Sequence, residues 1–183
     1  MTADIAIIGG SGLYAMEGVT DLQEVQITTP FGAPSDAVMI GRLDGVPVAF
    51  LPRHGRGHRV APHEINYRAN IWALKSLGVR WCLSVSAVGS MRESIAPGHL
   101  VIVDQFIDRT RTRPNTFFED GVVGHVGFSD PVCEVLRGAI VRAAQELKLG
   151  HQDGGTYVCI DALSFQPVRN PTCIARGTWT SSA

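Results

Sequence analysis

Three segments of this chain place small or hydrogen-bonding residues directly after apolar runs, and together they hold the groups that would grip a tetrahedral anion. Ile5-Ala6-Ile7-Ile8 stops at Gly9-Gly10-Ser11-Gly12. A loop nearly free of Cβ atoms lets backbone N–H groups approach a ligand as a nest, and Ser11 adds a hydroxyl donor. The run from Val46 to Leu51 delivers Arg53-His54-Gly55-Arg56, and Trp81 to Val85 runs into Ser86-Ala87-Val88-Gly89-Ser90. Side by side, these segments offer a guanidinium able to hold two phosphate oxygens, the hydroxyls of Ser11 and Ser86, and N–H groups around Ala87 and the glycines. That inventory suits phosphate, free or esterified. The residues alone leave two classes open, an enzyme that consumes phosphate and a module that binds it without turnover.

Other chemistries fit less well. His54, His58 and His63 lack a carboxylate or thiolate at ligand spacing and sit among Arg53, Arg56 and Arg59, whose charge repels a cation, so no metal is expected. Cys82, Cys133, Cys159 and Cys173 form no C-x-x-C pair, which argues against disulfides and a zinc knuckle. Gly10-x-Gly12-x-x-Ala15 meets a relaxed dinucleotide fingerprint, but Gly18 falls where the phosphate-binding helix should continue and no strand ending in an acid follows at the right distance. No Gly-Lys-Ser/Thr follows either, which removes the P-loop reading.

The elements that must position these groups alternate between strand and helix. Ala37 to Leu43 and Val46 to Leu51 flank Asp44-Gly45, a hairpin dipeptide. Ile65, Ala69, Trp72 and Ala73 recur at helical spacing within Pro62 to Leu77, with Gly78 as the stop; Tyr67, Trp72 and Trp81 read as core or interface. Leu100 to Val103 is a buried strand, followed by a long irregular stretch from Asp104 to Gly127 that includes His125. Asp130 as N-cap before Pro131 opens a second helix, with Val132, Val135, Leu136, Ala139, Ile140, Ala143 and Leu147 on one stripe and Gly150 as its end. Thr156 to Ile160 resumes strand, and beyond Asp161 no run is expected to supply another strand or helix. The class is α/β around a mixed, largely buried sheet.

Composition narrows the partners. The chain has 183 residues, 45% of them hydrophobic, and a net charge of −1 without blocks of like charge. Neither a nucleic-acid face nor a membrane patch is expected, and small molecules remain as partners. With no apolar run of spanning length and no signal-like start, the expected location is cytoplasmic.

Read in order, Ile7-Ile8-Gly9-Gly10-Ser11-Gly12-Leu13, Thr29-Pro30-Phe31-Gly32-Ala33-Pro34-Ser35-Asp36, Arg53-His54-Gly55-Arg56, Asn66-Tyr67-Arg68-Ala69-Asn70-Ile71-Trp72-Ala73-Leu74 and Asp104-Gln105-Phe106-Ile107-Asp108-Arg109-Thr110 resemble the 5′-methylthioadenosine phosphorylases. The resemblance runs from about Ile5 to Ile160. It implies the nucleoside phosphorylase fold, three α/β/α layers around a central mixed sheet, and a homotrimer. It also implies phosphorolysis of 5′-methylthioadenosine without metal or cofactor, phosphate being a co-substrate. Ser11, Arg53, His54, Ser86 and Ala87 then bind phosphate, with Ser11 and Ser86 where the family often has threonine. His125 resembles the histidine that a neighbouring subunit lends to the pocket. Purine nucleoside and methylthioinosine phosphorylases are the alternatives within the same chemistry.

The likeness stops where the family continues with Glu-Gly-Pro, because this chain reads Asp161-Ala162-Leu163-Ser164-Phe165-Gln166-Pro167. Joining the third base of each codon to the next two permits the family's Phe-Ser-Thr-Arg-Ala-Glu-Ser and, at Trp179 to Ala183, Asp-Val-Ile-Gly. The expectation is a phosphorylase portion over residues 1–160 and an aberrant tail over 161–183 produced by a one-base slip. A chain ending at Ala183 would lack the family's base-recognising acid, and little or no catalysis and poor solubility are expected of it.

Overall fold

The computed structural model describes residues 2–10, 17–161 and, for the backbone, 179–182. By internal contacts the chain divides into two compact units, Met1–Ser86 with Thr112–Glu119, and Ala87–Arg111 with Asp120–Ala183.

The first unit is built on a five-stranded mixed sheet. Its strands are β1 (Ile5–Gly9), β2 (Val19–Val25), β3 (Val38–Leu43), β4 (Val46–Pro52) and β5 (Trp81–Ser84), in the order β2-β3-β4-β1-β5. β1 lies parallel to both β4 and β5, with Ile8 opposite Leu51 on one side and Ser84 on the other. The β3–β4 hairpin turns at Asp44 (φ 50°) and Gly45 (φ 80°), two left-handed residues in succession. That backbone matches the twist of the flanking strands, as the Asp-Gly pair predicts.

Helix α1 (Tyr67–Ser76) lays Ala69, Ala73 and Leu74 inward, and Leu74 joins Leu77, Val79 and the sheet residues Ala6, Ile8, Val38, Ile40, Ala49 and Leu51 in one core. The helix begins five residues later than the Pro62 boundary expected, because the Asn66 side chain accepts the Ala69 N–H and so caps the helix there. It ends as expected at Gly78 (φ 92°), whose N–H donates to Lys75 while Val79 N–H reaches back to Leu74. This is a Schellman closure with its apolar contact between Leu74 and Val79.

The second unit contains β6 (Val88–Ser90), β7 (Leu100–Ile102), β8 (Gln105–Asp108), α2 (Glu134–Glu146), β9 (His151–Asp153), β10 (Thr156–Cys159) and β11 (Trp179–Ser182). One sheet has the order β6-β11-β10-β8, and β7 pairs with β9. Several expectations fail here. Gln105–Asp108 is a strand, not irregular chain, since parallel pairing with β10 satisfies its backbone. Trp179–Ser182 is also a strand: lying between β10 and β6 gives its backbone partners on both sides, which a search for apolar periodicity cannot detect.

α2 starts at Glu134 and not beside Asp130, because the Asp130 carboxylate instead accepts the Ser129 hydroxyl; Cys133 occupies the cap position without a side-chain bond. Its buried face is Val141 and Ala144, packed on Ile102, while Val135 and Leu147 of the expected stripe are 69% exposed. The helix closes through Lys148 (φ 54°), not Gly150, with Leu149 N–H donating to the Ala144 carbonyl. Gly150 serves a different end, since a Cβ there would lie 2.6 Å from the His99 ring.

Candidate functional site

Because β4, β1 and β5 are parallel neighbours, their C-terminal ends open at one edge of the sheet, the edge at which ligands collect in open α/β sheets. Hydrogen bonds lock the exits together. Arg53 N–H donates to Gly9 O at 3.1 Å, and Val85 N–H donates to Ile8 O at 2.9 Å. The chain leaving β1, the Arg53–Arg56 loop and Ser86 therefore emerge side by side. Ser11 lies outside the described residues, two positions after the end of β1.

Arg53 is oriented at two of its nitrogens. Nη1 donates to Val85 O at 2.7 Å and Nε to the Nε2 of His54 at 3.2 Å. Among the described residues Nη2 has no hydrogen-bond partner. Ser86 is exposed beside Val85. Ala87 and His125 belong to the second unit, and both are exposed.

The loop after β4 turns through left-handed backbone at Gly55 (φ 68°), Gly57 (φ 76°) and His58 (φ 56°); the glycines adopt it freely, only His58 carries a cost, and surrounding contacts fix the loop. The principal fixing contact is one that residue-type reasoning missed. The Asp36 carboxylate, 8% exposed, accepts the Arg56 backbone N–H at 2.6 Å, the Arg56 guanidinium at 2.9 Å and the Ala37 N–H at 2.8 Å. Burial pushes the Asp36 pKa up, but the Arg56 and Ala37 hydrogen bonds outweigh it and leave the group below the ordinary carboxylate range. Glu24 adds an exposed ion pair to the same guanidinium at 2.8 Å.

Asn70 continues the brace. It is 2% exposed, accepts the Ser35 N–H at 2.8 Å and donates to the Ser35 hydroxyl at 2.9 Å. One helical turn earlier, Asn66 Nδ2 donates to Phe31 O at 2.6 Å. Two asparagines spaced by four on one face thus latch the segment before Asp36 onto α1. An asparagine at an otherwise apolar helix position, such as Asn70 between Ala69 and Ala73, was the available sequence signal. Arg68 pairs with Glu119 and lies 5.0 Å over the Phe31 ring, which Phe117 meets edge-on, so residues 112–119 of the long stretch are tied to α1.

Among the described residues no group of three or more histidine, cysteine or acidic side chains is placed to hold a metal, and no helix is long and apolar enough to cross a membrane. An open recess of about 380 Å³ is lined by Gln26, Ile27, Thr28, Thr29, Gly32 and Ala33. It has no charged lining and shares no residue with the anion candidates, so the strand-end cluster is the better site.

Comparison with known proteins agrees with this architecture. The phosphorylase superfamily model matches residues 4–176. The S-methyl-5′-thioadenosine phosphorylase of Hyperthermus butylicus is 57% identical over 163 residues, covering 89% of this chain and 60% of that protein. The enzyme of the same name from Geobacter sulfurreducens is 59% identical over 162 residues, covering 88% and 57%. Among solved structures, a methylthioadenosine phosphorylase from an antarctic soil metagenomic library superimposes with a TM-score of 0.93 at 46% identity, covering 100% of this chain and 65% of the other. Methylthioadenosine phosphorylase from Schistosoma mansoni, in complex with adenine, gives 0.85 at 32% identity, covering 99% and 73%. The chain spans about three fifths of the length of the curated relatives it matches.

Proposed function

This chain belongs to the phosphorylase superfamily, among the methylthioadenosine phosphorylases, and from that premise we propose that its site serves phosphorolysis of 5′-methylthioadenosine to adenine and 5-methylthioribose 1-phosphate. The observation that carries the reading is the guanidinium of Arg53, fixed at Nε and Nη1 with Nη2 left over, at the shared end of three parallel strands. Phosphate binds there, with Ser11, His54, Ser86 and Ala87 completing the site. Positive charge grows on the ribosyl ring as the glycosidic bond lengthens, and a held phosphate dianion both offsets that charge and supplies the attacking oxygen. Neither metal nor cofactor takes part.

The active form is a cytoplasmic homotrimer in which His125 enters a neighbour's pocket. Supporting this, His125 lies between Val123 and Val126, which are 81% and 76% exposed, an apolar surface suited to an interface. Residues 161–183 are the product of a reading-frame slip. In support, β11 falls at the positions where the shifted frame permits Asp-Val-Ile-Gly, its Asp fixed by Trp179-Thr180.

The test assays this chain and a frame-restored version with methylthioadenosine and methylthioinosine. Adenine release that requires phosphate and matches sugar phosphate formed is expected of the frame-restored protein, with little hypoxanthine release. Base release independent of phosphate, or preference for the 6-oxo purine, would overturn the assignment.

A further inference from the structure

We propose that His54 is a positioning residue: a neutral imidazole with its proton on Nδ1, whose bare Nε2 takes the Nε–H of Arg53 and so aims the guanidinium. The inference rests on the reading of Arg53 as the anion's principal ligand.

The proton's place follows from the partners. His54 Nδ1 lies 2.9 Å from the Val60 carbonyl oxygen, which has no hydrogen to give, so Nδ1 must be the donor. Val60 N–H returns a bond to His54 O at 2.9 Å, closing the 54–60 loop reciprocally and fixing the ring plane. A neutral ring protonated at Nδ1 presents a lone pair at Nε2, and the group 3.2 Å away is Arg53 Nε, an obligate donor. A second proton is disfavoured by the ring's surroundings. Burial, the Arg53 charge and His58 all pull the His54 pKa down, although the Val60 bond pulls the other way, and His58 stacks on the ring at 4.3 Å.

With Nε2 engaged as an acceptor and Nδ1–H spent on Val60, the imidazole has no N–H left for phosphate, and what His54 can still offer the anion is its backbone N–H. The ring's contribution is to spend Nε of the arginine on an internal bond, as Val85 does for Nη1, so that the remaining face of the guanidinium points outward. The charge on the anion is then met by Arg53 and not by an imidazolium.

The experiment labels the histidines of the full chain with ¹⁵N and records long-range ¹H–¹⁵N correlations at about pH 7.5, assigning His54 by its absence in a His54→Gln variant. A pyrrole-like Nδ1 and a pyridine-like Nε2 are expected. Inorganic phosphate is then titrated into the wild type and variants by calorimetry. His54→Ala should weaken binding roughly tenfold or more; His54→Gln, whose amide oxygen reaches as far as Nε2, should recover most of that loss, and the shorter His54→Asn should not. A proton on Nε2, a doubly protonated ring, or a Gln variant no better than Ala would overturn the proposal. Absence of any phosphate binding by the wild type would instead overturn the reading of Arg53, while the nitrogen shifts would still decide where the His54 proton sits.

Discussion

Replacing Asn70 with alanine separates a side chain that merely fits its helix from one that anchors a distant segment. In a helix interior Ala is favoured over Asn by about 0.5–0.7 kcal/mol, so without tertiary bonds the substitution would stabilise the protein. Asn70 instead makes two hydrogen bonds to Ser35 at 2.8 and 2.9 Å while 2% exposed. Each is worth about 1 kcal/mol net, and the Ser35 N–H left without an acceptor costs a further ~1–2 kcal/mol. After subtracting the gain in propensity, Asn70→Ala should destabilise by roughly 2–3 kcal/mol. With a urea slope of about 2 kcal/mol per molar, the midpoint falls by about 1 M. Urea unfolding followed by tryptophan fluorescence reads this, Trp72 lying on the same helix. A midpoint unchanged or raised would refute the argument that Ser35 is held from α1.

Two further substitutions probe the brace and the helix end. Because the Asp36 pKa is depressed in the folded state, its stabilisation is fully present above the unfolded value and lost as pH falls through the folded one. Asp36→Asn should therefore lower the urea midpoint at neutral pH, and the gap from wild type should close below about pH 4; an equal gap at both extremes would contradict the assigned charge. Lys148→Gly relieves a left-handed φ of 54° in a Schellman closure and should raise stability by about 0.5–1 kcal/mol, seen as a melting point higher by roughly 2 °C. A lower melting point would show that the lysine side chain contributes more than its backbone strain costs.

Much of the site was legible because the signals were local. A buried strand followed by glycines, a hairpin turn at Asp44-Gly45 and an arginine at a strand end each announce their geometry within a few residues, and the parallel pairing of β1 with β4 and β5 then aligns the three exits. Asp36, Asn66 and Asn70 were visible as residues but not as a brace, since their partners lie 20 to 35 positions away. The short strands Val88–Ser90, Gln105–Asp108 and His151–Asp153 escaped for the opposite reason. With three or four residues each they carry no periodicity, and their conformation is set by the neighbour that takes up their backbone bonds. The α2 stripe misled because the helix has apolar residues on more than one face; Ile102, far upstream, selects Val141 and Ala144.

Arsenate, a heavier mimic of phosphate, locates the anion without reference to turnover. Crystals of this chain soaked in arsenate should show one anomalous peak within hydrogen-bond distance of Arg53 Nη2 and the Ser86 hydroxyl, with Ser11 completing the shell. An ordered peak elsewhere, with the Arg53 guanidinium unvisited, would contradict the account.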